Sequence, residues 1–256
     1  MIGAIAGDII GSRFEGKPSP LVDFDLFHPD CRFTDDTVCS LAVADALLRN
    51  ADFAESLRRH VRQHPRRGYG GLFLAWALQD GAPAYGSWGN GAPMRVAAVG
   101  WLADDESRAD ELAAAQAAVS HNHPDAVAAS QAVARAILAL RRGSPAAAVR
   151  DRLAERFGYA LGPEAALSRR GFEVSAAGTV PPALSAALHS ENWEAAVRRV
   201  VALGGDTDTL ACITGAVAEA IHGVPAGIAG RARAYLTEDL ASILDRFDQR
   251  VAEGSA

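Results

Sequence analysis

Two short acidic segments, far apart in the chain, carry side chains suited to metal-assisted hydrolysis. Residues 34–37 read TDDT, and residues 204–209 read GGDTDT. Each segment gathers carboxylates and threonine hydroxyls within a few positions and leads into an apolar, alanine-rich stretch. Such hard oxygen ligands suit Mg²⁺ or Mn²⁺ better than zinc or copper. If the segments converge, they could hold two cations about 3.5–4 Å apart, as in two-metal hydrolytic sites.

The same residue types are also typical of helix N-caps, so each segment has a second interpretation. Threonine and aspartate are preferred capping residues, and acidic side chains favour the first turn of a helix. A cap alone does not need Gly204-Gly205 before it or two carboxylates after it. A helix N-terminus also favours the ionised carboxylates that metal binding requires. From these residues, capping and metal binding both stay open.

The N-terminal stretch has glycine at every fourth position, at Gly3, Gly7 and Gly11. Glycine costs a helix about 1 kcal/mol per site relative to alanine. A stripe of three predicts that another helix or a ligand approaches this face closely. Asp8 in this helix and Glu15 just after it are further acidic candidates.

Three polar loops are candidates for binding an anionic or sugar-containing ligand. Residues 86–91 (GSWGNG) could present backbone N–H groups to an anion, with Arg95 adding positive charge. Residues 121–124 (HNHP) could bind a metal or contact a hydroxyl group, and residues 66–71 (RRGYGG) could bind phosphate or stack on a base. Each loop is equally compatible with a plain turn or a solvated helix start.

Helix signals dominate the elements that must position these residues. Residues 124–142 and 105–119 have helical patterning, and Ser190 is a predicted cap for a further helix. Alternation of apolar and polar residues typical of strands is nearly absent. Residues 159–180 are the least regular and are interpreted as a loop-rich excursion. We predict an all-α fold, a compact orthogonal bundle of about ten or more helices in a single domain over residues 1–256.

Bulk composition narrows the class of protein. The chain has 256 residues, of which 49% are hydrophobic and 22% charged, as in globular domains. Its net charge of −6 argues against an extended nucleic-acid footprint. No apolar stretch reaches the roughly 20 residues of a membrane span, and the N-terminus makes a poor signal peptide. The three cysteines form no C-x-x-C pair. We predict a cytoplasmic monomer with no membrane contact.

Taken in order, these motifs resemble those of the ADP-ribosylglycohydrolase family. The order is G-x-x-x-G-D-x-x-G with a following glutamate, then T-D-D-T, S-x-G-N-G-x-x-M-R, H-N-H-P and G-G-D-T-D-T. The resemblance spans roughly residues 2–223. Pro93 departs from the small residue expected in the third motif, which could alter contacts with phosphate.

The resemblance implies an all-α bundle around two divalent cations, Mg²⁺ or Mn²⁺, and assigns roles to residues of this chain. The implied metal ligands are Thr34, Asp35, Asp36, Asp206, Asp208 and Thr209. The implied catalytic groups are Glu15, Asp35 and Asp36. The implied substrate contacts are Ser87, Gly89, Asn90, Gly91, Met94, Arg95 and His123. The resemblance assigns no role to residues 66–71.

The implied activity is metal-dependent hydrolysis of the glycosidic bond that joins ADP-ribose to an acceptor, with ADP-ribose or an ADP-ribosylated acceptor as partner. Glycosidic cleavage passes through an oxocarbenium-like state in which a carboxylate can act as acid or base. Two alternatives are a metallohydrolase acting on a different phosphorylated riboside and a non-catalytic ADP-ribose binder. The acceptor linkage stays open among arginine, serine, a nucleic-acid end and a small ester.

Overall fold

Every regular element in the computed structural model is helical. The structure describes residues 1–166 and 171–254, and within these ranges it has no β-strand, only an isolated antiparallel bridge between Gly89 and Ser175. The α-helices are α1 Ile2–Gly11, α2 Asp35–Arg49, α3 Phe53–Gln63, α4 Gly71–Leu78, α5 Ala97–Leu102, α6 Glu106–Ala118, α7 Pro124–Arg141, α8 Ala146–Phe157, α9 Ala176–Leu188, α10 Trp193–Val201, α11 Thr207–His222, α12 Ala226–Arg233 and α13 Glu238–Gly254. Short 3₁₀ turns occupy Pro93–Arg95 and Pro163–Ala166. The predicted all-α class is confirmed.

The glycine stripe of α1 is the seam along which α1 packs on α11. A β-carbon on Gly3, Gly7 or Gly11 would overlap the backbone of α11, at Gly215, Ala211 and Thr207 respectively. These pairs run in opposite directions along the two helices, so α1 and α11 are antiparallel. Another helix, rather than a ligand, is therefore the close neighbour that the stripe predicted. The end of α1 consequently lies beside the start of α11.

Two helices predicted from local sequence patterns are present, but one predicted N-cap is wrong. Helices α6 and α7 match the predicted stretches within a few residues. The prediction that Ser190 caps a helix is wrong. Its hydroxyl donates instead to the carbonyl of Ala186 in α9, and Asn192 caps α10 by accepting a hydrogen bond from the Ala195 N–H at 2.8 Å.

The irregular stretch at residues 159–180 was predicted only in part. Its described residues up to Ser175 are mostly non-helical, but α9 begins at Ala176 and takes the last five residues of the stretch. Ser175 caps that helix by accepting a hydrogen bond from the Gly178 N–H. Residues 167–170 of the predicted loop lie outside the described residues.

Three helix ends meet at one place and position the acidic segments. Helix α2 begins at Asp35, and the extended backbone of Thr34 makes it the N-cap. Helix α11 begins at Thr207, whose hydroxyl donates to the carbonyl of Gly11 at 2.8 Å. The end of α1 and the starts of α2 and α11 are thereby brought together. No helix among the described residues has the length and apolar character needed to cross a membrane.

Candidate metal centre and active-site cavity

Asp8, on α1, organises the start of α2. Its carboxylate accepts hydrogen bonds from the Thr34 N–H at 2.9 Å, the Thr34 hydroxyl at 2.7 Å and the Thr37 N–H at 3.1 Å. The hydroxyl of Thr37 donates to it as well. Asp8 is fully buried, so these bonds replace water around its charge. Both threonines of the TDDT segment are thus used to fix Asp8 against α2.

The second acidic segment faces the first across the end of α1. The Thr209 hydroxyl donates to Asp36 Oδ2 at 3.1 Å, which ties α11 to α2. One carboxylate oxygen each from Asp8, Asp36 and Asp208 lies within 4.8 Å of the other two. Glu15, Asp206 and Asp208 form a second such group, and Asp208 belongs to both.

The glycines before α11 explain how Glu15 reaches this cluster. Gly204 and Gly205 have φ angles of +73° and +81°, a conformation that favours glycine. The carbonyl of Gly205 accepts a hydrogen bond from the Gly16 N–H at 2.9 Å. The loop that carries Glu15 is therefore anchored directly to the turn that precedes Asp206.

The electrostatics of the cluster are dominated by buried negative charge. Burial, followed by repulsion from neighbouring carboxylates, raises the pKa of Asp36 and Asp208 well above the usual range. The same two causes raise the pKa of Asp35 to about 8. The pKa of Asp8 rises only to about 6, because its hydrogen bonds oppose the effect of burial. For Asp35, Asp36 and Asp208, burial and mutual repulsion therefore outweigh the preference of a helix N-terminus for ionised carboxylates.

The cluster forms one wall of a cavity of about 530 Å³. Acidic side chains of α2 and α11 line it together with Glu15, and the 86–91 loop lines the facing side. The exposed side chains of Leu72, Trp88, Phe172 and Val174 also belong to its lining. A volume of this size suits a small organic ligand such as a nucleotide.

Comparison with known proteins identifies the family. The sequence model of the family described as ADP-ribosylglycohydrolase matches residues 1–255. This chain belongs to the ADP-ribosylglycohydrolase family. It is 26% identical to ADP-ribosylhydrolase ARH3 from Danio rerio over 304 residues, which covers 88% of this chain and 82% of that relative. The fold is similar to a solved structure described as an ADP-ribosylglycohydrolase-related protein complex. That match has a TM-score of 0.74 at 24% identity and covers 98% of this chain and 97% of the other.

In this family member, the 86–91 loop is fixed to the acidic wall through Asn90. The Asn90 side-chain amide donates to Asp206 Oδ2 at 2.6 Å and to the Thr179 hydroxyl at 3.2 Å. Its backbone N–H donates to the carbonyl of Val174 at 2.8 Å. Asn90 is buried, so it serves as a brace between the loop, α9 and the start of α11. The glycines on either side of it make room for neighbouring groups, since a β-carbon would lie 3.2 Å from Ser87 Oγ at Gly89 and 2.8 Å from His121 Nε2 at Gly91.

A buried chain of hydrogen bonds sets the protonation of His121, which lines the cavity. Arg95 donates to the Ser120 hydroxyl at 3.0 Å, and that hydroxyl lies 2.8 Å from His121 Nδ1. A serine oxygen can accept two hydrogen bonds, but among the described residues His121 Nδ1 is the one acceptor placed for the serine hydrogen. We infer that this hydrogen points to Nδ1, which leaves the proton of the neutral ring on Nε2. Burial, followed by the Arg95 charge, lowers the pKa of His121 to about 3. His121 therefore offers an Nε2–H donor beside Gly91, where a β-carbon would lie 2.8 Å from Nε2.

The structure brings most of the residues singled out in the sequence to this cavity. The predicted residues that line it are Glu15, Asp35, Asp36, Ser87, Gly89, Asn90, Gly91, Met94, Arg95, Asp206, Asp208 and Thr209. Thr34 lies behind the wall, where it caps α2 and donates to Asp8. His123 is not part of the lining, because its ring caps α7 by accepting a hydrogen bond from the Asp125 N–H.

Some cavity residues had no clear signal in the sequence. His121 and His123 belong to one HNHP motif, and only the burial of His121 separates them. Arg95 lines the cavity but is fully buried, and the sequence did not indicate that its guanidinium donates hydrogen bonds to Gln116 and Ser120. Phe172 comes from the irregular stretch, where the pattern of residues predicted only a loop.

The donor set fits divalent cations of the kind the family resemblance implies. Among the described residues, Asp36 Oδ1 is buried and has no hydrogen-bond partner. An unpartnered buried carboxylate oxygen is costly unless a cation satisfies it. The remaining donors are carboxylate and hydroxyl oxygens, which suit Mg²⁺ and Mn²⁺ alike.

Proposed function

We propose that the protein hydrolyses the glycosidic bond between ADP-ribose and an acceptor and that it requires two divalent cations, Mg²⁺ or Mn²⁺. The observation that carries this proposal is the group of buried carboxylates around Asp36 and Asp208, which opens into a nucleotide-sized cavity. Membership of the ADP-ribosylglycohydrolase family supports ADP-ribose as the sugar nucleotide.

The residues that would hold the cations come from both acidic segments. We assign Asp36 and Asp208 as the central ligands, with further oxygens from Thr34, Asp35, Asp206 and Thr209. When bound, such cations stabilise negative charge that develops in the transition state and favour the ionised form of a nucleophilic water. The Thr34 hydroxyl donates its hydrogen to Asp8 at 2.7 Å, and the lone pairs of its oxygen are what it would offer to a cation.

We assign the proton transfers to carboxylates at the cavity wall. Cleavage breaks the bond between the anomeric carbon and the acceptor, and a water adds its oxygen to that carbon. The water loses a proton, and the leaving acceptor gains one. Glu15 is suited to this transfer because it is only half-buried. Burial and the Asp206 charge raise its pKa, while Arg32 opposes the rise. Asp35, with a pKa of about 8, is the second candidate.

The facing wall would hold the ADP-ribose portion. The loop braced at Asn90 would contribute the backbone N–H of Gly91, since that of Gly89 already donates to Ser87 Oγ at 3.2 Å, and His121 adds a neutral donor beside it. Such fixed donors can bind a diphosphate without requiring a net positive surface. This division places nucleotide recognition on one wall and bond cleavage on the other.

The test is release of free ADP-ribose from arginine-linked and serine-linked ADP-ribosylated proteins, with Mg²⁺, with Mn²⁺ and with chelator. We expect release that depends on the metal, and the linkage that is cleaved names the acceptor. Asp208→Asn should abolish release, whereas Asp80→Asn, which removes an exposed charge, should leave it unchanged. Tight binding of ADP-ribose with no release from any substrate would refute the hydrolase and favour a binding protein.

A variant of Glu15 separates its proposed role from metal binding. If Glu15 transfers protons, Glu15→Gln should keep the Mn²⁺ affinity of the wild-type protein and lose most of kcat. If the variant loses Mn²⁺ affinity to the same extent as Asp208→Asn, Glu15 is a metal ligand and the acid–base assignment is wrong.

A further inference from the structure

The loop at residues 64–71, which runs from the C-cap of α3 to the first residue of α4, lies directly against the metal-ligand candidate Asp35. The Asp35 N–H donates to the carbonyl of Arg67 at 2.8 Å. Gly68, with φ of +101°, passes so close that a β-carbon there would lie 3.1 Å from Asp35 Oδ1. Where this loop sits therefore determines where the first residue of α2 sits.

His64 anchors the loop from its far side. The Tyr69 hydroxyl donates to the carbonyl of His64 at 2.8 Å, which closes the loop on itself. The edge of the buried His64 ring also meets Phe33, with the ring centroids 6.2 Å apart. Phe33 precedes Asp35 by two residues, and the Arg67 guanidinium lies 3.7 Å over its ring. His64 thus contacts both the loop and the segment that enters α2.

The last helix of the chain holds His64 in turn. His64 Nε2 lies 2.7 Å from Asp239 Oδ2, in the first turn of α13. Partial burial raises the pKa of Asp239, but hydrogen bonds, including the one with His64, outweigh this and leave the pKa lowered. The carboxylate is therefore ionised at neutral pH and forms a charge-assisted hydrogen bond.

We propose that Asp239 and His64 are positioning residues for the metal centre, so that α13 helps to set its cation affinity. The first contact joins Asp239 to His64, the first residue of the 64–71 loop. The loop then contacts the metal centre where the Arg67 carbonyl accepts a hydrogen bond from the Asp35 N–H. Glycine at positions 68, 70 and 71 leaves this loop intrinsically free, so an external anchor has a large influence on it. Groups that orient metal ligands from outside commonly govern affinity. This inference rests on the proposed metal centre.

The test compares three variants of α13. Asp239→Ala removes the anchor, and Asp239→Asn keeps a weaker acceptor of the same shape. Arg246→Gln is the matched control, because it breaks a different link from α13 to α2, the 2.8 Å ion pair of Arg246 with Asp45. Asp239 is half-exposed, so its substitution should leave the protein folded.

The primary readout is Mn²⁺ affinity, measured by the electron paramagnetic resonance signal of free Mn²⁺. We expect Asp239→Ala to weaken binding about 3- to 10-fold, since it acts on the ligand indirectly. Asp239→Asn should have a smaller effect, and Arg246→Gln should have none. Hydrogen exchange of the Asp35 amide in chelator should rise in Asp239→Ala and stay unchanged in Arg246→Gln.

Two results would overturn the inference while leaving the proposed metal centre intact. Wild-type affinity and unchanged Asp35 exchange in Asp239→Ala would show that α13 does not position the centre. An equal loss in Arg246→Gln would show only a general loosening of α13. If the wild-type protein binds no Mn²⁺, the metal centre itself fails and this inference fails with it. If it binds Mn²⁺ without hydrolysing ADP-ribose linkages, only the proposed activity fails.

Discussion

Helix α2 carries two buried carboxylates, Asp36 and Asp45, whose charged neighbours have opposite signs. Asp45, near the middle of the helix, is 2% exposed and faces arginines from three helices: Arg49, Arg59 and Arg246. Asp36, at the start of the same helix, is also 2% exposed. Its charged neighbours are other carboxylates, those of Asp8, Asp35 and Asp206.

The difference shows that burial alone does not mark a functional carboxylate. A buried charge needs a partner, and at Asp45 the fold provides several. At Asp36 the fold brings threonine hydroxyls and further negative charge, and one carboxylate oxygen has no partner among the described residues. The positive charge missing at Asp36 is the charge that the proposed divalent cation would supply. Neutralising each carboxylate in turn tests this contrast.

The largest expected effect is on activity. Asp36→Asn should lower metal-dependent release of ADP-ribose by at least about 100-fold, because even groups that merely support metal ligands are worth about 10- to 100-fold. Asp45→Asn should keep wild-type activity at temperatures where it is folded, since Asp45 is not part of the cavity lining. Steady-state rates at saturating Mn²⁺ measure both. Full activity in Asp36→Asn would remove it from the metal centre.

Asp45→Asn should have the larger effect when the measured quantity is the stability of the protein in chelator. Asp45→Asn should lower the free energy of unfolding by about 1–3 kcal/mol, because it leaves arginines without their partner; their partial exposure keeps the loss below that of a fully buried pair. Asp36→Asn should leave the free energy of unfolding unchanged or raise it, because it removes repulsion. Urea denaturation measures both values. A large loss in Asp36→Asn would mean that its charge already has a partner.

Burial, together with the same repulsion, predicts how the stability of the protein in chelator depends on pH. The pKa of Asp35 in the folded protein is about 8, against an ordinary value of 3.8. The folded state therefore binds the proton more tightly, and this stabilisation is lost as pH rises from about 4 through 8. The slope is at most about 1.4 kcal/mol per pH unit for one group. Thermal unfolding in chelator should therefore occur at a lower temperature at pH 8 than at pH 6.

Excess Mn²⁺ should oppose this trend, because binding requires the ionised ligands. Asp35→Asn should flatten the pH dependence in chelator, whereas Asp45→Asn should leave its slope intact. An unfolding temperature in chelator that rises between pH 6 and pH 8 would contradict the raised pKa of Asp35.

The sequence indicated the surroundings of Asp36 but not those of Asp45. The TDDT and GGDTDT segments stand out because they concentrate oxygen ligands locally, and both indeed meet at one cavity. The partners of Asp45 come from residues 59 and 246, and no local pattern connects them. The role of Asp8 was equally hidden, because its partners, Thr34 and Thr37, lie on another helix.

The all-α fold was predictable because helix caps and apolar spacing are local, but the identity of neighbouring helices was not. The glycine stripe of α1 predicted a close neighbour without distinguishing a helix from a ligand. The choice of α11 depends on long-range packing at Gly7 and Ala211. The predicted cap at Ser190 was wrong for a similar reason, since its hydroxyl donates to the Ala186 carbonyl in α9. His121 and His123 differ only in burial, which their shared motif does not encode.

The smallest expected effect concerns the wall opposite the carboxylates, where the hydroxyl of Ser120 links Arg95 to His121. Ser120→Ala removes the hydroxyl between Arg95 and His121 Nδ1, so the proton of the neutral ring is no longer held on Nε2. We expect ADP-ribose binding to weaken by about 3- to 10-fold, the value of roughly one hydrogen bond. The ¹⁵N chemical shifts of His121 should change from the Nε2–H form to a mixture of tautomers. Ser130→Ala, which removes a buried hydroxyl that donates to the Ala126 carbonyl within α7, is the matched control and should change neither measurement. Wild-type affinity together with an unchanged tautomer in Ser120→Ala would mean that another contact fixes His121, and that this wall does not depend on the Arg95–Ser120 bond.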